Sequence, residues 1–286
     1  MDKILDGKKL ATELNNRLKK RISDLTQETN ISPTLATILV GKDPASKVYV
    51  KIKHQTCEKV GINSVMVSLP ESASKSQISE EIEKLNRDVS VHAILLQLPL
   101  PEKSRKFTEF LLQKIDIYKD VDGFHYLNRG KLFYKTEQLV PCTPKGIITL
   151  LDHNGINVQG KDITIINHSN LLGKPLMVML VNRDATVSVC HVHTKNIEKF
   201  TRNADILVVG VGKAQFITKD KIKSGAVIID VGINRIEGRL YGDVDFEDVY
   251  DKCGSITPVP GGVGPMTVAS LLQNTIIAYK TQLGLD

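Results

Sequence analysis

The sequence has no tryptophan, few aromatic residues and four widely separated cysteines, and each shortage excludes a class of protein. No CxxC pair occurs among Cys57, Cys142, Cys190 and Cys253, which argues against both a disulfide framework and a zinc site. No apolar run approaches the roughly 18 residues that cross a bilayer, and the amino end has no apolar signal core. We therefore expect a cytoplasmic protein with reduced thiols, no metal and no membrane association.

Charge of one sign is not concentrated anywhere. The 38 lysines and arginines are scattered among 32 acids, which gives a formal net charge of +6. The longest basic cluster, residues 17–21, falls on a predicted amphipathic helix, and aromatic residues for base stacking make up only 5% of the chain. The pattern predicts no nucleic-acid partner, and a basic surface that attracts an anionic small molecule explains the charge equally well.

The first half of the chain alternates between helical and strand patterns. It opens with leucine and isoleucine at three- and four-residue spacing over residues 10–25, which predicts an amphipathic helix. Asp43 and Pro44 predict the start of a second helix, and Gly61 predicts its end. Further apolar segments predict strands over 35–40, 65–69 and 91–96 and a helix over 76–85. This is the pattern of an α/β domain.

A second α/β series begins near Pro141. Thr143 can cap a helix that Pro144 starts and Gly155 ends. Short apolar strands then follow, predicted over residues 163–167, 186–191, 206–211 and 227–231. This spacing predicts a Rossmann-like, doubly wound parallel sheet that binds a dinucleotide.

The predicted fold class is therefore α/β with two domains. Residues 1–141 form a substrate domain, which a carboxyl-terminal helix over 266–286 completes by packing back on it, and residues 142–265 form the dinucleotide domain.

The candidate phosphate-binding turn follows the strand at Ile163. Residues 167–175 could lead into a helix whose first N–H groups hold a pyrophosphate. The turn is not a GxGxxG fingerprint, and Gly210 and Gly212 after a later strand lack the third glycine. An ordinary β-α turn explains the same residues.

One face of the predicted helix after Asp43 carries polar groups. Tyr49, Lys53 and Cys57 are four residues apart and share that face, whereas Lys51 points elsewhere. The spacing by itself is also that of a solvated lysine.

Six blocks in fixed order decide between these interpretations. They are VGKDPASKVYVKIK at residues 40–53, LQLPLP at 96–101, KDVDGFH at 119–125, PCTP at 141–144, DVGIN at 230–234 and PVPGGVGPMT at 258–267. Together they span nearly the whole chain, which resembles the methylenetetrahydrofolate dehydrogenase/methenyltetrahydrofolate cyclohydrolase family.

The resemblance implies two reactions in one-carbon metabolism, which supplies purine biosynthesis. The one-carbon bridge of tetrahydrofolate is oxidised by hydride transfer to a nicotinamide, and the methenyl product is hydrolysed to the 10-formyl form. Lys53 would assist proton transfer in the hydrolytic step, with Gln97 holding its amine. Tyr49 would lie against the substrate's aromatic ring, and Asp122 would accept the paired N–H groups of the pterin. On the residues alone, Gln97 could equally be the polar end of a buried strand and Asp122 a turn acid.

The resemblance also implies where the ligands bind. Pro260, Gly261 and Gly262 would lie by the nicotinamide and the folate, although a plain helix-entry turn explains the same glycines. Ile233 would contact the cofactor. The family is usually homodimeric through its nucleotide domain.

Two departures affect the choice of cofactor. The family commonly has Gly-Arg-Ser where this chain has Asn167, His168 and Ser169, and a polar or basic residue where it has Val192. In the family both positions face the adenosine ribose, so the resemblance implies that this chain lacks charge-assisted bonds to the 2′-phosphate of NADP unless His168 and His193 compensate. NADP is expected, and NAD is not excluded.

Other functions stay open at this point. The chain could keep the dehydrogenase and lose the hydrolase, or it could be a non-catalytic folate- or nucleotide-binding protein or a nucleic-acid binder. His191 and His193 could also ligate a metal from one side of a strand, but spacing places no third ligand.

Overall fold

The computed structural model describes residues 3–285, and they divide into two compact units. The first unit comprises Glu13–Cys142 and the residues from Leu271 onward. The second comprises Thr143–Ser270 and the amino-terminal residues through Thr12. No helix within residues 3–285 is long and apolar enough to cross a membrane.

The first unit is built around a three-stranded parallel sheet. Its elements are α1 (Gly7–Thr29), β1 (Thr34–Val40), α2 (Pro44–Val60), β2 (Asn63–Leu69), α3 (Lys75–Arg87), β3 (Ala93–Leu96), α4 (Glu102–Arg105), α5 (Thr108–Leu112) and α6 (Tyr126–Phe133). The strand order is β2-β1-β3. β1 is buried along its whole length and is paired at both edges, as expected for the central strand of a parallel sheet. The predicted strands are confirmed, with ends that differ by one or two residues.

Helix α2, which carries the candidate catalytic face, starts and ends where its sequence predicts. The Asp43 carboxylate accepts a hydrogen bond from the Ser46 N–H at 2.7 Å, which satisfies one of the unpaired donors of the first turn. Pro44 is the first helical residue. Gly61 ends the helix with a φ of 92°, in the left-handed region that glycine adopts without strain.

The second unit contains a five-stranded parallel sheet. Its elements are α7 (Cys142–His153), β4 (Asp162–Ile166), α8 (Gly173–Val181), β5 (Thr186–Cys190), α9 (Ile197–Thr201), β6 (Ile206–Val209), β7 (Val227–Asp230), β8 (Asn234–Ile236), β9 (Arg239–Tyr241), α10 (Phe246–Tyr250), β10 (Ser255–Ile256) and α11 (Val263–Leu283). The order is β10-β7-β6-β4-β5. The order reverses at β4, as in a doubly wound nucleotide-binding sheet, so the predicted fold is confirmed.

The last helix, α11, completes the first unit with its carboxyl-terminal half, as predicted. The Asn274 amide donates to the Val121 and Val140 carbonyls, both at 2.8 Å. The buried Tyr279 ring lies edge-on to His92 with centroids 5.0 Å apart, and its hydroxyl donates to the Ile31 carbonyl at 2.9 Å.

Two local predictions were wrong. α7 begins at Cys142, so Thr143 lies inside the first turn and does not cap it, and its hydroxyl is 3.1 Å from that of Thr267. β5 ends at Cys190, so His191 and His193 follow the strand and strand alternation does not place them on one side.

Candidate active site

A lysine and a glutamine from different elements meet in the first unit. Lys53 lies on α2 and Gln97 directly follows β3. The Lys53 ammonium donates a hydrogen bond to Gln97 Oε1 at 3.0 Å, and both side chains are partly buried. Gln97 Nε2 donates to the Leu98 carbonyl at 2.6 Å, which fixes the amide with its oxygen towards Lys53.

Asp122 belongs to the same polar group. Burial raises the pKa of its carboxyl to about 6, and the positive charge of Lys53 opposes that rise. The negative charge of Asp120 raises the pKa further, whereas the neighbouring Cys142 thiol lowers it. Lys53 is therefore hydrogen-bonded to Gln97 and close enough to Asp122 for its charge to act on that carboxyl, which is ionised above a pH of about 6.

The residues just before Asp122 fix its position. The Lys119 ammonium donates to the carbonyls of Leu85, Asn86 and Asp88 at 2.8–3.0 Å, which satisfies the carboxyl end of α3. The buried Asp120 accepts hydrogen bonds from the Phe124 and His125 N–H groups and from the Asn128 amide, which closes the turn after Asp122.

Asn274 and Cys142 also support this segment. Asn274 donates to the carbonyl of Val121, the residue before Asp122, and the Cys142 thiol donates to the same carbonyl at 3.3 Å. Residue spacing gives no signal for either contact, because Asn274 is 153 positions from Val121.

Tyr49 lies one turn before Lys53 and is partly buried, and burial raises the pKa of its hydroxyl. Cys57, one turn further, is fully buried, and burial raises the pKa of its thiol to about 12. Lys51, on the opposite side of α2, is exposed. One face of α2 thus carries the Tyr49 ring and the Lys53 amine, and Cys57 on the same face is buried.

In the second unit, Asn167 organises the turn after β4. Its side-chain oxygen accepts from the N–H groups of Ser169 and Gly173 and from the Ser169 hydroxyl, at 2.8–3.1 Å. Its amide donates to the Gly210 carbonyl at 2.6 Å, at the end of β6. The side chain of Asn167 therefore joins the ends of β4 and β6.

Gly173, the first residue of α8, packs against this turn. A Cβ at Gly173 would overlap the carbonyl of Asn167, so only glycine fits. That is the close helix–strand packing for which the third glycine of a dinucleotide fingerprint is needed, and it lies at the strand where the sheet order reverses. The turn thus fits a dinucleotide, although it departs from GxGxxG.

A carboxylate holds the neighbouring loop after β6. Asp243 accepts from the N–H groups of Val211, Gly212 and Lys213 at 2.5–2.9 Å and from the Asn234 amide at 2.8 Å.

Asp230, at the end of β7, holds the adjoining backbone. It accepts from the N–H groups of Gly232, Asp243 and Val244, and burial raises its pKa to about 6. These contacts fix the loop that precedes Ile233.

The glycine-rich turn before α11 is held by the amino-terminal helix. The Gly261 carbonyl accepts from the Lys8 N–H at 2.8 Å, and the Gly262 N–H donates to the Pro258 carbonyl at 2.8 Å. Gly261 has a φ of 116°, which other residues rarely adopt. Pro260 is exposed at the tip of the turn.

Both units match models of one family. Residues 5–122 match the catalytic domain of tetrahydrofolate dehydrogenase/cyclohydrolase, and residues 141–283 match its NAD(P)-binding domain. The chain belongs to the tetrahydrofolate dehydrogenase/cyclohydrolase family.

Individual members of the family are similar over their full length. The bifunctional protein FolD of Methanococcoides burtonii is 50% identical, with 98% of this chain and 97% of that protein covered. The crystal structure of the Campylobacter jejuni FolD enzyme has a TM-score of 0.94 at 46% identity, covering 97% of this chain and 98% of that one. The Trypanosoma brucei enzyme, solved with NADP and an inhibitor, has a TM-score of 0.93 at 33% identity, with 98% of each chain covered.

Within this family, the predicted cofactor residues of the chain fall into two kinds. Asn167 directs its side chain into the turn, whereas His168, Ser169, Val192 and Ile233 are exposed. Val192 is the extreme case, with 88% of its surface exposed. Their roles in binding stay predictions.

His191 and His193 are the candidate metal ligands of the sequence. Among residues 3–285, the histidine, cysteine and carboxylate side chains form no group of three or more that could hold a metal ion.

Proposed function

We propose that this family member oxidises 5,10-methylenetetrahydrofolate to 5,10-methenyltetrahydrofolate with NADP or NAD, and then hydrolyses the product to 10-formyltetrahydrofolate. In the first step a bound dinucleotide would supply the nicotinamide that takes up a hydride from the bridge carbon. In the second, water adds to that carbon, one of its two C–N bonds opens, and one proton is released. The observation that supports this most directly is the Lys53–Gln97 hydrogen bond beside Asp122.

Lys53 serves the hydrolytic step. The added water must lose a proton, and the departing nitrogen must gain one, so a positioned amine can carry protons between them. Gln97 accepts a hydrogen bond from this amine and holds it in one direction. Hydride transfer needs no such proton carrier, so the two steps depend on Lys53 unequally.

Asp122 and Tyr49 bind the folate. A carboxylate can accept two parallel N–H bonds from the ring nitrogen and amino group of the pterin, and charge strengthens both. Asp122 carries that charge above a pH of about 6. Tyr49 presents a partly buried ring one turn from Lys53, which suits stacking against the substrate's aromatic ring.

The dinucleotide belongs to residues 142–265, and the folate to residues 1–141 with 266–286. The reversed strand order at β4 and the close approach of Gly173 support the first assignment. His168, Ser169, Val192 and Ile233 would contact the dinucleotide, with Asn167 shaping the turn. Pro260, Gly261 and Gly262 would line the nicotinamide and folate.

Two absorbance assays on the purified protein test the function. With 5,10-methylenetetrahydrofolate and either dinucleotide, we expect reduced nicotinamide to form. With methenyltetrahydrofolate alone, we expect the methenyl absorbance to decay faster than in buffer. Absence of turnover with both dinucleotides contradicts the proposal, and methenyl decay at the buffer rate reduces it to a dehydrogenase alone.

We further propose that the protein is a cytoplasmic homodimer that supplies formyl groups for purine biosynthesis. The expectation rests on its resemblance to the family. Sedimentation equilibrium at micromolar concentration should give twice the mass of one chain, and a monomer mass contradicts the dimer.

A further inference from the structure

Three histidines lie side by side on the second unit. The His168 and His191 rings have centroids 5.0 Å apart, and the His191 and His193 rings 6.0 Å apart. All three residues are exposed. His168 comes from the turn after β4, whereas His191 and His193 follow β5, and we call these three residues the histidine cluster.

The sheet topology indicates which part of a bound dinucleotide would lie beside the histidine cluster. In doubly wound sheets the pyrophosphate binds at the turn after the first strand, and the adenosine ribose lies beside the end of the neighbouring second strand. β4 and β5 correspond to those strands because the order reverses at β4. Enzymes that select NAD usually place a carboxylate there for the ribose 2′-hydroxyl, and residues 190–195 contain no acid.

The cluster's hydrogen bonds show which rings can gain a proton. His191 Nδ1 accepts a hydrogen bond from the His193 N–H at 3.2 Å, so protonating that nitrogen would break the bond. His168 and His193 are therefore the members that can become cations without that loss.

The charged groups of the adjoining segments do not pair with the cluster. Exposed Lys174 and Lys195 add positive charge, and the Lys174 ammonium donates to Asn170 Oδ1 at 2.8 Å. Glu198 at the start of α9 is paired with Arg202 at 3.0 Å. Among the residues that the structure describes, none of the three histidines forms an ion pair with a carboxylate.

In the loop after β6, the Asp243 carboxylate accepts hydrogen bonds from the backbone N–H groups of residues 211–213. The Lys213 ammonium of that loop lies over the Phe216 ring.

Resting on the proposed function, we propose that the histidine cluster recognises the 2′-phosphate of NADP by taking up protons, so that the preference for NADP over NAD falls as pH rises. An arginine at His168 would bind the phosphate at every pH, whereas an imidazole changes charge between pH 5 and 8. NAD lacks this phosphate, so the cluster's charge should change the affinity for NAD far less than the affinity for NADP.

Calorimetric titration of NADP and of NAD between pH 6.5 and 8.5, at constant ionic strength, tests this. The lower limit keeps the 2′-phosphate mostly dianionic, because its second ionisation lies near pH 6. We expect the ratio of the Kd for NAD to that for NADP to fall by about tenfold across the range, the size of one charge-assisted hydrogen bond. Titration in two buffers of different ionisation enthalpy should show proton uptake with NADP and none with NAD.

Matched variants separate the cluster from general effects of pH. The double variant H168Q/H193Q should lose both the pH dependence and the proton uptake, and H168R should keep NADP preference at pH 8.5. H153Q, at an exposed histidine of α7 outside the cluster, should behave as the unaltered protein.

The outcomes distinguish this inference from the proposed function. A ratio that is constant with pH, or a pH dependence that survives in H168Q/H193Q, overturns the role of the cluster while leaving the enzyme assignment intact. Failure to bind either dinucleotide overturns both.

Discussion

The polar networks of the two units differ in where their hydrogen bonds go. Within residues 3–285 the Lys53 amine donates one hydrogen bond, to Gln97, and Asn274 holds the carbonyl of Val121, the residue before Asp122. The Asn167 side chain instead makes three hydrogen bonds inside its own turn and a fourth to the Gly210 carbonyl after β6. In the first network the Lys53 amine and the Asp122 carboxyl are the groups proposed to act on the substrate. In the second network the hydrogen bonds stabilise a turn, and exposed neighbours such as His168 would contact the dinucleotide.

The largest effect is expected from replacing Lys53 in the first network. We expect K53M to lower the rate of methenyltetrahydrofolate hydrolysis by about 10²–10⁴-fold, because proton transfer by a positioned side chain contributes that much, and to slow hydride transfer far less. Stopped-flow absorbance with each substrate measures the two steps.

K51M is the matched control, since Lys51 is an exposed lysine on the other side of the same helix. Equal losses of hydrolysis in K51M and K53M would remove Lys53 from the proposed chemistry.

The next effect concerns the turn of the second unit. In G173A the new Cβ overlaps the Asn167 carbonyl, and overpacking of this kind costs about 1–3 kcal/mol. We expect a loss of that size in the free energy of unfolding, measured by urea denaturation, and weaker dinucleotide binding. G130A is the control, because a Cβ at Gly130 in α6 meets open space. Unchanged stability in G173A contradicts the close packing.

A buried amide supports the Asp122 segment. N274L leaves the carbonyls of Val121 and Val140 without this donor, which costs about 1–3 kcal/mol in the free energy of unfolding. Because Val121 precedes Asp122, we also expect a higher KM for the folate with little change in the KM for NADP. Q273L, on the same helix, should change neither KM, and a folate KM unaffected in N274L argues against positioning through Val121.

The smallest expected effect is the pH dependence of folate binding. The Asp122 pKa of about 6 means that acidification below pH 6 protonates the carboxyl and removes its charge. From pH 7 to pH 5 the KM for methylenetetrahydrofolate should rise about tenfold, as expected for one proton competing with the ligand.

D122N should have a high KM that does not change with pH. D24N, at an exposed acid of α1, should show the same pH dependence as the unaltered protein. A KM that is flat in the unaltered protein excludes Asp122 as the titrating group.

Local sequence predicted most of the fold because its determinants are local. The cap at Asp43, the left-handed glycine at Gly61 and the apolar strands act within a few residues of themselves. The prediction of a cap at Thr143 was wrong because α7 begins at Cys142, two residues before Pro144, and helix ends are less sharply determined by local sequence than helix interiors.

The supporting residues of the site could not be predicted in this way. In the sequence Lys119 is one more charged residue, yet its ammonium is buried against the carbonyls of Leu85, Asn86 and Asp88 at the end of α3. Asn274 acts on Val121 across 153 positions, and a polar residue inside an apolar helix pattern does not reveal its partner. The motif located Lys53, Gln97 and Asp122, whereas their hydrogen bonds required coordinates.

The carboxylate of Asp243 has a consequence for anion binding. Three successive backbone N–H groups, such as those of residues 211–213, form the concave cradle that captures phosphates in many proteins. Here the cradle is already filled by the protein's own anion. The glycines of this loop therefore do not make a second phosphate site. Among the residues that the structure describes, the turn after β4 is then the candidate phosphate site of this unit, and we expect the pyrophosphate of a dinucleotide there and not at residues 211–213.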